Sequence, residues 1–77
     1  MKTKIIRDHH GTPHTIPGGE RDYAVVQGML RDFATDWQNE FATKSVSYGE
    51  IVEVEDYFAR YGERYGLLRE FKENGIL

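Results

Sequence analysis

The strongest constraint in this sequence lies between Ser47 and Leu68. Ser47-Tyr48-Gly49-Glu50 matches a capping box, in which an N-cap serine accepts from the N3 backbone N–H and the N3 glutamate reaches back. Val46 and Ile51 fall at N′ and N4, the pair that forms a hydrophobic staple. After Ile51, the residues Val54, Phe58, Tyr61, Tyr65 and Leu68 follow at steps of 3, 4, 3, 4 and 3. That spacing is close to 3.5 residues, an a/d seam that needs a second helix to cover it.

The partner is upstream. Val26, Leu30, Phe33, Trp37 and Phe41 recur at steps of 4, 3, 4 and 4, with Met29 and Tyr23 widening the stripe. Arg31, Asp32, Thr35, Gln38 and Asn39 lie off it, which is the pattern of an amphipathic helix over residues 20–43. Glu20 and Asp22 then occupy the first turn, where carboxylates oppose the positive end of the macrodipole. A connection around Ala42 to Val46 folds the second helix, 47–74, back antiparallel on the first.

Gly62 and Gly66 interrupt that second helix, each at about 1 kcal/mol against alanine. The expectation is one bent helix or two nearly collinear ones, broken near Gly62 into pieces of about 48–61 and 63–74. The glycines would alternatively admit another backbone at close range. Gly75 is a natural C′ residue, after which Ile76 and Leu77 fold back onto the core.

Residues 1–19 read differently. Lys4-Ile5-Ile6-Arg7 is a short strand, Asp8-His9-His10-Gly11 a turn, and Thr12-Pro13-His14-Thr15-Ile16 the return. Pro13 confines the return strand to a sheet edge, and a lone hairpin must pack on the helices to persist. The fold class expected is mainly α (α+β): an antiparallel helical hairpin carrying a small N-terminal β-hairpin, as one domain over 1–77.

A chain of 77 residues without cysteine has few ways to reinforce a small core. Disulfides, thiolate catalysis and cysteine-ligated zinc are excluded. No apolar run approaches a membrane span or a signal-peptide core, so a cytoplasmic protein without membrane association is expected. The net charge of −3 is uneven: Lys2, Lys4 and Arg7 against Asp8 leave residues 1–19 at +2, and the rest is acidic. A domain-wide basic surface for nucleic acid is absent.

Few constellations here carry chemistry. His9, His10 and His14 are all the histidines, and three imidazoles can hold zinc, copper or nickel or act as acid and base. Asp8 is the one carboxylate spaced as a fourth ligand, and the competing reading is a polar turn. No metal and no cofactor are therefore expected. Serine chemistry lacks a nucleophile elbow, and Ser47 is already a cap. Pro17-Gly18-Gly19 could cradle a phosphate, but Glu20 and Asp22 would repel it. Glu50, Glu53, Glu55 and Asp56 form an acidic cluster, partly offset by Arg60 four residues after Asp56.

The aromatic content points elsewhere. Tyrosine and arginine dominate binding hot spots, which selects Tyr57, Arg60, Tyr61, Arg64 and Tyr65, with Glu53 and Asp56 beside them. The competing reading of Tyr61 and Tyr65 is core residues with wet hydroxyls. The function expected is a non-enzymatic protein-binding module. It would be an inhibitor or accessory regulator in the style of phage and mobile-element proteins, acting on a protein partner or as a homodimer. The alternative is a dimeric nucleic-acid-associated regulator using Lys2, Lys4 and Arg7 as a basic arm.

Overall fold

The computed structural model describes residues 3–17 and 22–77. Two strands, β1 (Thr3–Arg7) and β2 (Pro13–Pro17), precede three helices, α1 (Asp22–Thr43), α2 (Tyr48–Tyr65) and α3 (Leu68–Glu73). The protein is mainly helical, with a small antiparallel sheet, as the sequence patterns require. The Pro17-Gly18-Gly19 breaker and a helix start at Glu20 fall largely outside the described residues.

The β-hairpin pairs Lys4 with Ile16, Ile6 with His14 and Arg7 with Pro13. Alternation places Ile6 and Ile16 inward, at 4 % and 5 % exposure, while Ile5 points out at 63 %. The turn is tied by Asp8. Its Oδ1 accepts from the backbone N–H of His10 at 2.8 Å and of Thr12 at 3.0 Å, and Gly11 takes φ +83. Prolines at both ends of β2 leave it poor in N–H donors, which suits a strand with an open edge.

The two long helices form the expected hairpin. Val26, Leu30, Phe33 and Trp37 of α1 share one core with Val54, Phe58 and Tyr65 of α2. Phe41 leaves the stripe: it is 53 % exposed, its ring edge-on to Trp37 at 5.9 Å. Ser47 caps α2 as read, its Oγ accepting from Glu50 N–H at 3.2 Å. Val46 and Ile51 both pack against the core.

The break in the second half sits four residues beyond the expected place. Gly66, not Gly62, adopts the left-handed conformation, φ +72, and Leu67 N–H returns to Gly62 O at 2.7 Å. That closes α2 with a Schellman-type bond. The turn advances the register by one, so Leu67 takes the buried place that the heptad gave to Leu68. α3 then doubles back over Gly62. A Cβ built there would stand 3.0 Å from Phe71 Cδ2 and 3.3 Å from the Leu68 backbone. The pieces are therefore folded on each other rather than collinear. At the C-terminal end Gly75 N–H bonds Lys72 O and Ile76 N–H bonds Phe71 O, a second Schellman cap with Ile76 buried against the core.

Side chains of α1 hold this folded end. Gln27 Nε2 donates to Tyr65 O and Gln38 Nε2 to Asn74 O, each at 2.6 Å. The Arg31 guanidinium grips the Glu70 carboxylate with two bonds, at 2.9 and 3.2 Å.

Candidate functional site

Two regions concentrate unexplained side chains. The first is the β-hairpin turn where it meets the helices. His9 inserts between them, its side chain only 3 % exposed. Its ring centroid lies 5.5 Å from Phe58, 6.1 Å from Trp37, 6.2 Å from Phe33 and 6.4 Å from Tyr57. Neither His9 ring nitrogen has a hydrogen-bond partner. Burial lowers the basicity of His9, His10 lowers it further, and Glu40, Asp8 and Asp36 only partly oppose this. The ring is thus less basic than a free imidazole.

His10 lies against the same carboxylate. Its Nε2 meets Glu40 Oε1 at 2.8 Å, and His9 Nε2 stands 3.8 Å from Glu40 Oε2. An ionised carboxylate only accepts, so His10 Nε2 carries the proton in that bond. His14 does not join them. It faces Asp8, Nε2 to Oδ2 at 2.8 Å. Burial alone would raise the Asp8 carboxyl, but the His14 bond and the Thr12 and His10 N–H groups hold it below its ordinary value. The histidine set read from sequence is thus split: His9 and His10 converge with Glu40, and His14, on β2, pairs with Asp8.

The second region is the outer face of α2. Tyr48, Val52, Asp56, Arg60 and Arg64 are all exposed and recur every four residues, forming one ridge along the helix. Tyr48 and Val52 are 80 % and 48 % exposed. Beside them opens a cleft of about 370 Å³ with Trp37, Phe41, Ile51 and Ile76 among its walls and Gln38 and Glu55 at its polar margin. Farther along, Arg60 pairs with Asp56 at 3.2 Å, and the Arg64 guanidinium lies 5.9 Å over the Tyr61 ring.

The chain matches no protein-family model, no curated protein and no solved structure. Its functional reading therefore rests on these side chains alone.

Of the tyrosine–arginine surface expected on α2, part is committed to the fold. Tyr65 is 6 % exposed, with Tyr23 covering it at 5.3 Å between rings. The Tyr57 hydroxyl donates to Arg7 O at 2.7 Å, fastening β1 to α2. Tyr65 is thereby corrected from a contact residue to a core residue, because Tyr23 and the core cover it, while Tyr57 is half-buried and also ties the strand to α2. Arg60, Tyr61 and Arg64, with Glu53 and Asp56, remain accessible at least in part. From sequence Phe41 was read as part of the core stripe, and Tyr48 and Val52 were not read as contact residues. The signal was available: Tyr48 and Val52 lie off the a/d seam, so nothing in the helical pairing buries them.

The basic arm is also engaged. Lys4 Nζ meets Asp22 Oδ2 at 3.1 Å, and Arg7 Nη1 donates to Gly11 O at 3.0 Å; Lys2 lies outside the described residues. No described helix is long and apolar enough to cross a membrane.

Proposed function

We propose that this chain is a non-enzymatic protein-binding module that docks its outer α2 face on a basic, partly apolar surface of a partner protein. One observation carries the reading: Phe41, Tyr48 and Val52 are exposed together with a mixed polar and apolar cleft at the end of the hairpin where α1 passes into α2. Exposed apolar side chains scattered singly need no explanation. Here Tyr48, Ile51, Val52 and Glu55 occupy i, i+3, i+4 and i+7, so they form one face, and Phe41 and Ile51 line the same cleft.

The chemistry of the surround sets the partner. Glu50, Glu53, Glu55 and Asp56 follow the apolar end on α2, and their summed field favours lysine and arginine on the opposing surface. Arg60, Tyr61 and Arg64 would extend the contact along the ridge. Inhibitors and accessory regulators act in this way, by covering a surface rather than by chemistry.

A tagged chain used as bait in its native host tests the proposal. Recovery of a basic partner by the unmodified chain, lost with Val52→Glu and reduced with Arg64→Ala, but kept with Asp32→Ala on α1, supports it. Val52 and Asp32 are exposed, so both variants should fold. Equal recovery by all of them refutes the surface. Sedimentation of the same proteins separates self-association: a dimer that Val52→Glu abolishes makes the partner a second copy.

A further inference from the structure

The β-hairpin turn and α1 bring three ligand-type atoms together for which the protein-binding reading has no use. One ring nitrogen each of His9 and His10 and a Glu40 carboxylate oxygen all lie within 4.8 Å of one another. We propose that His9, His10 and Glu40 form a binding site for a divalent transition-metal ion of the zinc type, which staples the β-hairpin to α1.

Three observations support it. The first is the orphaned imidazole. His9 is 97 % removed from solvent by its side-chain area, yet both ring nitrogens are unpartnered. Buried polar groups are hydrogen-bonded in nearly every native structure, and an exception points to a strain reservoir, a functional role or a missing water or ion. The Nε2 of this orphan faces Glu40 at 3.8 Å, too long for a hydrogen bond and close to the spacing of two ligands on one ion. Around tetrahedral zinc, with bonds near ~2.0–2.1 Å, ligand atoms stand ~3.3 Å apart. His9 Nε2 stands 3.8 Å from Glu40 Oε2 and His10 Nε2 2.8 Å from Glu40 Oε1, so a small rotation of the carboxylate brings one oxygen to that spacing from both rings.

The second is the donor set. Two imidazoles and one carboxylate suit zinc and its neighbours rather than magnesium or calcium, which prefer all-oxygen shells. On binding, the His10 Nε2 proton is released to water or returns on Nδ1 as the other tautomer, and the freed Nε2 lone pair takes the metal in place of the bond to Glu40. His10 and Glu40 are 40 % and 25 % exposed, which leaves the fourth position to water on the open side.

The third is the backbone that makes the site. Adjacent residues in a strand point to opposite faces, so His9 and His10 could not share an ion on an extended chain. The Asp8 turn removes that restriction: its carboxylate binds the His10 and Thr12 N–H groups and brings the two rings to 4.1 Å between centroids. Glu40 arrives from α1, 30 residues away in sequence. The ion would therefore join two elements that share few other polar ties, in a chain with no cysteine to cross-link them.

The test uses the full-length chain without a polyhistidine tag, stripped with chelator and titrated calorimetrically with zinc, then with cobalt(II) as a spectroscopic probe. The expected result is one ion per chain, visible bands of a four-coordinate cobalt site, and a rise in thermal midpoint with zinc. Glu40→Gln and His10→Ala, both on accessible side chains, should weaken binding by about a hundred-fold or more, at least the loss seen when a supporting shell is removed. His14→Gln should leave it nearly unchanged. Circular dichroism confirms that each variant is folded. No stoichiometric binding by the parent chain, equal binding by Glu40→Gln, or loss confined to His14→Gln overturns the site.

Discussion

Tyr57 shows how much one side chain can be asked to do in a chain this small. Its ring packs against Tyr61 at 4.6 Å and Phe58 at 5.1 Å, while its hydroxyl reaches Arg7 O at 2.7 Å. Tyr57→Phe keeps the ring and deletes the bond, so the cost should be near ~1 kcal/mol, read from urea denaturation. A pH consequence follows. Burial, reinforced by Tyr61, Asp8 and Tyr65, pushes the Tyr57 phenol above its ordinary 10.0. A folded-state pKa above the unfolded one means that the native protein keeps a proton the unfolded chain gives up. Stability is then fully present below pH 10 and falls as pH rises beyond it. In Tyr57→Phe that alkaline loss should be shallower than in the parent; parallel curves would show that the hydroxyl is not held as described.

Among the elements, the glycines separate by environment rather than by number. Gly28 lies mid-α1 with nothing within 4 Å of a built Cβ, so Gly28→Ala should stabilise by about 0.5–1 kcal/mol. Gly62→Ala meets Phe71 and the Leu68 backbone and should destabilise by ~1–3 kcal/mol, since α3 must shift to admit it. Gly66→Ala is strained by its positive φ whatever the space, costing roughly 1–2 kcal/mol. Thermal melts of the three give the order. Gly62 and Gly66 were both legible as breakers, but reading which one breaks requires the residue after it. A Schellman cap wants an apolar C″ side chain packed on the last turn. Leu67 follows Gly66 and Ile76 follows Gly75, whereas charged Glu63 follows Gly62. That local signal was in the chain, and the heptad pattern, running on to Leu68, overrode it.

At the level of the whole molecule, the body measures 41 × 24 × 17 Å, a thin layer of paired helices with the strands laid against it. Periodicity specified the layer: an a/d seam and a matching stripe name their own partners, and Trp37 and Phe58 meet in one core. It could not specify the hairpin's seat. His9 and His10 were visible as candidate ligands, but Glu40 was not, because no repeat relates a turn to a helix thirty residues on. At the exposed apolar end only Phe41 was hidden, since it continues the α1 stripe, whereas Tyr48 and Val52 fall off the seam.

The seating of that β-hairpin bears on the order in which the molecule assembles. The α1–α2 contacts close a short connection, whereas Tyr57 to Arg7 and His10 to Glu40 span 50 and 30 residues. Distant pairs carry the larger loop-closure cost and form late on the folding route. Stopped-flow traces of Tyr57→Phe should therefore show faster escape from the native state with an unchanged refolding limb. A slowed refolding limb would place the strands in the nucleus instead. The strand pair would then act as a latch thrown after the helices have met, so the lifetime of the native state, rather than the speed of reaching it, is what the N-terminal residues set.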